Sequence, residues 1–453
     1  MNISQDIFKA YDVRGLVPDE INEEVALLIG KAFAEQIKKE GSSEPIVVGY
    51  DMRSDSQSLA VSLIEGIRSQ GSDVIDIGQV ATDMLYFAVG HLGAAGGAVV
   101  TASHNPGKYN GIKFCGQEAR GFGIESGLME VRDMVVAENI PDSQTKGQLK
   151  SYDIIPEWIN HALSFANNIK PFKIAVDAGN GMAGLVVPYL DEKTDLDITP
   201  LYLDLDGSFP NHEANPLKEE TLEELKKVVV SNNLDLGIAF DGDGDRMVLV
   251  DERGESLSGS ITTAILARYF LDKHPGAHIL HNAICSRIVS ETIKEYGGTP
   301  VRTRVGHSYI KSAMREYDAP FGGEHSAHYY FSDNYFADSG LIAAIVSLSI
   351  LSEFGSKLSE LASHYRKAYV QSGEINFELK GDEDKQLIIE KIAKNFSDGD
   401  QDWLDGLSVN YQDWWFNLRA SNTEPLLRLN IEARTSEQLD NLKAKITKEL
   451  KNI

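Results

Sequence analysis

Cysteine is nearly absent: only Cys115 and Cys285 occur among 453 residues. They stand far apart and in no metal-ligand or redox spacing, so no disulfide framework is expected and a reduced, cytoplasmic setting fits best. Positive charge is also scarce. The 43 Lys and Arg against 68 Asp and Glu leave a formal net charge of −25, which argues against nucleic acid or an anionic membrane as the main partner. The same field repels anionic small molecules, so any phosphate site must be a local cluster of basic side chains and backbone N–H groups. Long apolar runs are missing too. The longest, around Leu341–Leu351, is too short to span a bilayer and carries Ser347 and Ser349. The amino terminus, MNISQDIFKAYD, lacks a basic stretch followed by an apolar one, so no secretory signal is expected.

What is present is the composition of a soluble globular protein long enough for two to four domains. Helical and strand patterns alternate over roughly the first four-fifths of the chain, which predicts α/β domains with largely parallel sheets. Val25, Leu28, Ile29, Ala32, Phe33 and Ile37 repeat at helical spacing, and Gly41 follows as a stop. The apolar strand PIVVGY then ends in the polar turn DMRS, and the same unit recurs from Lys173 (KIAVDAGNGMAG) and from His278 (HILHNAICS). These open three related α/β domains. Polar, turn-rich stretches at Pro141–Asp153 and Asp251–Ser260, and a change of pattern at Val370–Ile375, divide the chain into units of 1–150, 151–255, 256–370 and 371–453. The last is a small α+β domain closing in an amphipathic helix, with a capping-box pattern at Thr435 and Gln438 and an apolar face of Leu439, Leu442, Ile446 and Leu450.

Six segments carry chemistry. DGDGDR (Asp241–Arg246) follows the apolar strand LDLGIAF and so sits at a strand's carboxyl end, where open α/β sheets place ligands. Its three carboxylates, at alternate positions with Gly242 and Gly244 between, can converge on one hard cation, and Arg246 can take a phosphate oxygen. An EF-hand loop is excluded because Arg246 occupies its obligatory glycine position and MVLV reads as a strand. TASHNP places Ser103 just past a strand, beside His104 and Asn105, as a candidate nucleophile. GEHSAH offers Glu324 and Ser326 for sugar hydroxyls and His325 and His328 for protons. RASNTEP, with Arg419, Ser421, Asn422 and Thr423, has the inventory of a phosphate clamp. FKAYDVRG and VGHSYIK add Tyr11, Arg14, His307 and Lys311 as phosphate or proton-handling candidates. Against these stands GNGMAG (Gly179–Gly184), which matches the dinucleotide fingerprint with Asp204 and Asp206 at ribose distance and predicts an oxidoreductase instead.

In this order the segments resemble the phosphohexomutase superfamily, in its phosphomannomutase/phosphoglucomutase branch, over essentially the whole chain. The resemblance implies three α/β domains and a small α+β domain around a central cleft, with GNGMAG as a mere domain-opening turn. It implies that Ser103 carries a phosphoryl group, that Asp241, Asp243 and Asp245 hold Mg²⁺ with Ser103, and that a hexose 1,6-bisphosphate is the intermediate. Arg14, Lys113 (in NGIKF) and His328 are then the basic or proton-handling candidates, with His104 and Arg246 beside them. Tyr11, His307, Lys311, Glu324, Ser326, Arg419, Ser421, Asn422 and Thr423 contact substrate. Ala327 departs from the family's usual glycine, and His325 from the glutamine of phosphoglucosamine mutases, which lowers that substrate relative to mannose or glucose phosphates. A hinge is expected at Val370–Ile375. A metal-dependent phosphatase and a non-catalytic sugar-phosphate sensor remain as other classes, and oligomeric state stays open.

Overall fold

The computed structural model describes residues 3–138, 140–141, 143–379, 384–421 and 426–451. The first sheet has six strands in the order Asp12–Leu16, Tyr109–Gly116, Gly96–Val100, Ile46–Tyr50, Val74–Gln79 and Leu149–Ser151. Its inner strands are parallel, and the two strands that flank the Ser103 loop run antiparallel to one another. The second sheet pairs Lys173–Asp177 in parallel with Asp197–Leu201 and Leu236–Phe240, then turns back antiparallel through Met247–Asp251. The third pairs His278–Asn282 in parallel with Thr299–Thr303 and Phe321–Gly323, and adds the antiparallel strands Tyr329–Phe331 and Ala337–Asp338. The fourth is antiparallel throughout, from Val370–Glu378 to Asp400–Asp402, with helices Lys385–Asn395 and Ser436–Lys451 packed against it. This is the architecture expected from the sequence.

The apolar stretch around Leu341–Leu351 is the helix Gly340–Phe354, buried along nearly its whole length. A helix apolar on every side must be surrounded by protein, and this one packs on helix Ile155–Leu163 and strand Met247–Asp251 of the second domain. One continuous apolar core therefore runs from Val47 and Leu85 through Val176 and Ile238 to Ala344 and Phe331. The fourth domain keeps a core of its own, around Phe396, Phe416 and Ile446. No single helix is long and apolar enough to cross a membrane among the described residues.

Two sequence expectations change. The stretch Pro141–Asp153, read as linker, contains Leu149–Ser151, which pairs in parallel with Val74–Asp76 at the sheet edge. Val370–Ile375, read as a hinge, opens the first strand of the fourth sheet. Its glycine and serine serve a bulge between Gln371 and Glu374, with Gly373 at φ +67°.

The first domain's helices Glu23–Lys39 and Ser56–Ser69 cross through a reciprocal pair of glycines. A Cβ on Gly30 would stand 2.2 Å from the Leu63 carbonyl oxygen, and one on Gly66 would stand 2.1 Å from that of Leu27. Alanine in a helix ordinarily gains about 1 kcal/mol over glycine, but a collision with backbone cannot be relieved by a rotamer change. Gly30→Ala is therefore expected to destabilise the protein by about 1–3 kcal/mol, read as a lower urea midpoint.

Candidate active site

Ser103 lies in the connection between Gly96–Val100 and Tyr109–Gly116, with φ at +51°. Non-glycine residues adopt this left-handed region only when surroundings impose it, and here the agent is Arg53, 4% exposed. One Nη of Arg53 donates to the carbonyls of Ser103 (2.8 Å) and Asn105 (2.6 Å), and the other to those of Pro106 (3.1 Å) and Tyr109 (3.0 Å). Its Nε pairs with Asp51 Oδ2 at 3.2 Å. In the sequence Arg53 stands in DMRS, which reads only as a polar turn. The side chains of the loop face the other way: Ser103 Oγ is 3.1 Å from His104 Nδ1 and donates to Asp241 Oδ2 at 3.2 Å.

The acidic loop closes a hairpin between Leu236–Phe240 and Met247–Asp251. A Cβ on Gly242 would lie 2.5 Å from the Ser103 carbonyl oxygen, so the two loops touch backbone to backbone. Asp241, Asp243 and Asp245 are all buried, and one oxygen from each falls within 4.8 Å of the others. Thr82 at the start of helix Thr82–His91 donates to Asp243 Oδ2 at 2.6 Å. Lys113 Nζ bridges Asp243 (2.6 Å) and Asp245 (2.7 Å). Burial opposes the ammonium's charge, but the two carboxylates override it and raise the Lys113 pKa. Burial likewise works to raise Asp243 and Asp245, and Lys113 reverses it, holding both low. Asp241 is less well compensated: burial, then Asp245 and Asp243, pushes it well up against the weaker opposing pull of Arg246, 3.5 Å away, and Lys113. Asp243 Oδ1 and Asp245 Oδ1 accept no hydrogen bond among the described residues. Three buried carboxylates converging within 4.8 Å, two of them with an oxygen that accepts no hydrogen bond among the described residues, fit a hard divalent cation.

The sugar-loop candidate is tied to this cluster by main chain. Arg246 and His328 form an antiparallel bridge, and Met247 N–H donates to the Ala327 carbonyl at 3.3 Å. Ala327 sits at φ +63°, which explains why a glycine suits that position. His328 Nε2 is 3.4 Å from Asp245 Oδ1, its Nδ1 is 3.4 Å from Glu324 Oε2, and Ser326 Oγ is 3.0 Å from Nδ1. Burial and then Arg246 oppose a charge on this imidazole, but Asp245 and Glu324 outweigh them and lift it to about 9. Burial would raise Glu324, yet His328 and hydrogen bonds from Asn282 (3.0 Å) and Tyr330 (2.8 Å) hold it at about 2. His104 is driven well below the ordinary range by burial, then by Arg246, Arg14 and Lys113. Arg14 donates to Asn105 Oδ1 at 2.6 Å and pairs with Asp12.

Tyr11 and His307 adjoin the cluster, their rings edge to face at 5.3 Å. Burial, then Lys311 and Lys113, pushes His307 down to about 3. Lys311 departs from expectation. It is fully buried, its Nζ 3.0 Å from Asp338 and 3.3 Å from the centre of the Tyr86 ring, because one turn along the helix from His307 points into the core. Arg419 comes from the fourth domain, pairs with Glu374 at 2.9 Å, and adds to burial in pushing His325 down to about 4. Ser421 is buried nearby, and its carbonyl accepts from Lys385 at 3.0 Å. Asn422 and Thr423 lie outside the described residues.

The glycine turn Gly179–Gly184 packs on the protein itself. A Cβ on Gly181 would be 2.7 Å from the Gly242 carbonyl oxygen, and one on Gly184 would be 2.1 Å from that of Leu203. Asp206 uses its carboxylate on the Ser208 amide at 2.9 Å, and the Asp204 carbonyl accepts from Asn180. The glycines thus serve close packing of the turn on neighbouring main chain, as expected of a domain-opening turn.

Removing the ammonium tests the electrostatic account. Lys113→Met leaves Asp243 and Asp245 without their cation and is expected to cost about 3–5 kcal/mol in metal-free buffer. Millimolar Mg²⁺ should then raise the variant's melting temperature more than that of the parent protein, as followed by calorimetry.

Comparison with known proteins agrees with this geometry. Models of the phosphoglucomutase/phosphomannomutase alpha/beta/alpha domains I, II and III match residues 5–127, 156–254 and 258–369, and the model of that family's C-terminal domain matches 374–449. A phosphomannomutase of Salmonella montevideo is 39% identical over 438 residues, covering 94% of each chain. A protein described as phosphohexose mutases, from Xanthomonas campestris pv. campestris, is also 39% identical, over 94% of this chain and 95% of its own. The crystal structure of a phosphoglucomutase/phosphomannomutase family protein from Burkholderia thailandensis superposes with a TM-score of 0.90 at 32% identity, covering 99% of this chain and 98% of its own. With four domain models in order along the chain and relatives this similar over its length, the protein belongs to the phosphoglucomutase/phosphomannomutase family.

Proposed function

We propose that the protein interconverts hexose 1-phosphate and hexose 6-phosphate, of mannose, glucose or both, through phospho-Ser103 and a hexose 1,6-bisphosphate. The observation that carries this is the contact of Ser103 Oγ with Asp241, one of three buried carboxylates, the other two of which each keep an oxygen that accepts no hydrogen bond among the described residues. A serine placed there is next to a spot where a bound cation, with Arg14, Arg246 and Lys113, can balance the charge of a phosphoryl group.

In the first half-reaction the Ser103 Oγ–P bond breaks as a P–O bond forms to the free sugar hydroxyl. That hydroxyl loses its proton to a base, and the Ser103 oxygen is left to be reprotonated or rephosphorylated. Mg²⁺ held by Asp241, Asp243, Asp245 and Ser103 would neutralise charge on the transferring group. Arg14, Arg246 and Lys113 surround the same region with fixed positive charge. Lys113 and His328 are the proton-handling candidates, Lys113 bridging Asp243 and Asp245 and His328 standing between Asp245 and Glu324. His104, beside Ser103 Oγ, serves the serine's own proton. Glu324 and Ser326 grip hydroxyls in the middle of the ring, and Arg419 and Ser421 hold the phosphate that is not reacting, with Asn422 and Thr423 of the same segment. His307 and Tyr11 complete the pocket wall. After the bisphosphate turns over, Ser103 takes back the other phosphoryl group, so no water is consumed and no inorganic phosphate appears.

Phosphorus NMR of the protein with Mg²⁺, a trace of glucose 1,6-bisphosphate and mannose or glucose 1-phosphate tests the reading. A 6-phosphate signal is expected to replace the 1-phosphate signal. Growth of inorganic phosphate would mean a phosphatase, and an unchanged spectrum with bound ligand would mean a sensor. Ser103→Ala should abolish turnover and remove the phosphoryl mass from the intact protein, whereas Arg419→Ala should raise KM at least tenfold and leave metal affinity unchanged.

A further inference from the structure

The three parts of the proposed pocket meet at one short loop, Arg304–His307, where VGHSYIK begins and whose main chain rather than its side chains makes the junction. The peptide groups of Val305 and Gly306 are held there from three domains. Tyr11 of the first domain donates its hydroxyl to the Val305 carbonyl at 2.6 Å. Asp405 of the fourth domain accepts the Val305 N–H through Oδ2 at 3.0 Å. The next amide, Gly306 N–H, donates to Glu324 Oε1 at 3.2 Å. Gly306 has φ at +136°, and a Cβ on it would fall 2.3 Å from the Tyr11 hydroxyl oxygen, so only glycine fits under the phenol.

Asp405 is equally well fixed on its own side. Its carbonyl accepts from the Asn417 side chain at 2.8 Å. The following Gly406, at φ +66°, packs so closely that a Cβ would lie 2.7 Å from Arg419 Cα. The turn bearing Asp405 is thus built directly against the residue proposed to hold the non-reacting phosphate. Two neighbouring contacts hold the loop's surroundings: Arg302 pairs with Asp402, and Arg304 with Glu125 at 3.2 Å.

We propose that Asp405 is a positioning residue that couples the phosphate clamp to the sugar-gripping carboxylate. Seating the fourth domain fixes the Val305 amide, the Val305–Gly306 pair carries that position one residue along, and Gly306 N–H sets Glu324. Tyr11 holds the carbonyl of the same residue so that the pair is located from both sides. A phosphate engaged at Arg419 and a hydroxyl engaged at Glu324 are then not independent events. This rests on the proposed substrate class, because it assigns Glu324 to a sugar hydroxyl and Arg419 to a phosphate.

The test is a double-mutant cycle read as the Kd for glucose 6-phosphate by calorimetry, with D405A, E324Q and the pair in the full-length protein. D405A is expected to weaken binding about tenfold, the size of one hydrogen bond to a charged group. D405N, which keeps an acceptor oxygen, should recover most of that loss, and this also controls for folding. In the E324Q background, D405A should weaken binding by less than twofold further. Two independent losses that multiply in the double variant would overturn the relay, as would D405A binding like the parent. Failure of the broader reading looks different: the parent protein would then bind neither glucose 6-phosphate nor mannose 6-phosphate, and both proposals would fall together.

Discussion

Three carboxylates buried within one loop are the constraint on which the rest of the molecule depends. Like charges this close inside protein are strongly unfavourable unless compensated, and the compensation comes from elsewhere in the chain. Lys113 and Thr82 are supplied by the first domain and His328 by the third, to a loop that belongs to the second. The domains are therefore held together at their polar centre as well as by their shared apolar core. That centre also resolves the paradox of a strongly acidic protein fitted for phosphates. Arg14, Lys113, Arg246 and His328 converge on a small volume, where each is paired with a neighbouring carboxylate.

The fourth domain is attached on different terms. It has its own core, and its contacts to the third domain are polar and directional. Arg287 donates to the carbonyls of Gln412 (3.1 Å), Tyr411 (2.8 Å) and Trp414 (3.2 Å), and its amide to Glu432 at 3.1 Å. Such contacts define an orientation without a large apolar commitment, as suits a domain that brings Arg419 and Ser421 towards a site built by the other three.

The sequence made some features legible because they are local. Apolar periodicity marked the helix from Glu23, glycines and carboxylates in DGDGDR marked a loop, and the order of motifs marked the family. What it hid was distant and carried by backbone. Arg53 finds its partners some fifty residues on, and they are carbonyl oxygens, which no motif can spell. Lys311 shows the opposite failure. Its spacing from His307 promised a shared face, yet the helix starts at the pocket rim and descends into the core, so four residues suffice to change surroundings. Gly373 shows a third kind, since a glycine beside a serine reads as linker whether it bends a loop or a bulged strand.

The grip of Arg53 on main-chain oxygen has a consequence for how this loop can change over time. Every residue type carries the carbonyl that Arg53 holds, so this anchor on the path of the chain past Ser103 does not depend on which side chains stand at 104 and 105, although Arg14 adds a second one through the Asn105 side chain. Shape and chemistry are thereby written at separate addresses. Substitutions there can revise the reactivity of the loop while its backbone stays where it was, and a single change at position 53, outside the motif, would disturb every version of it alike.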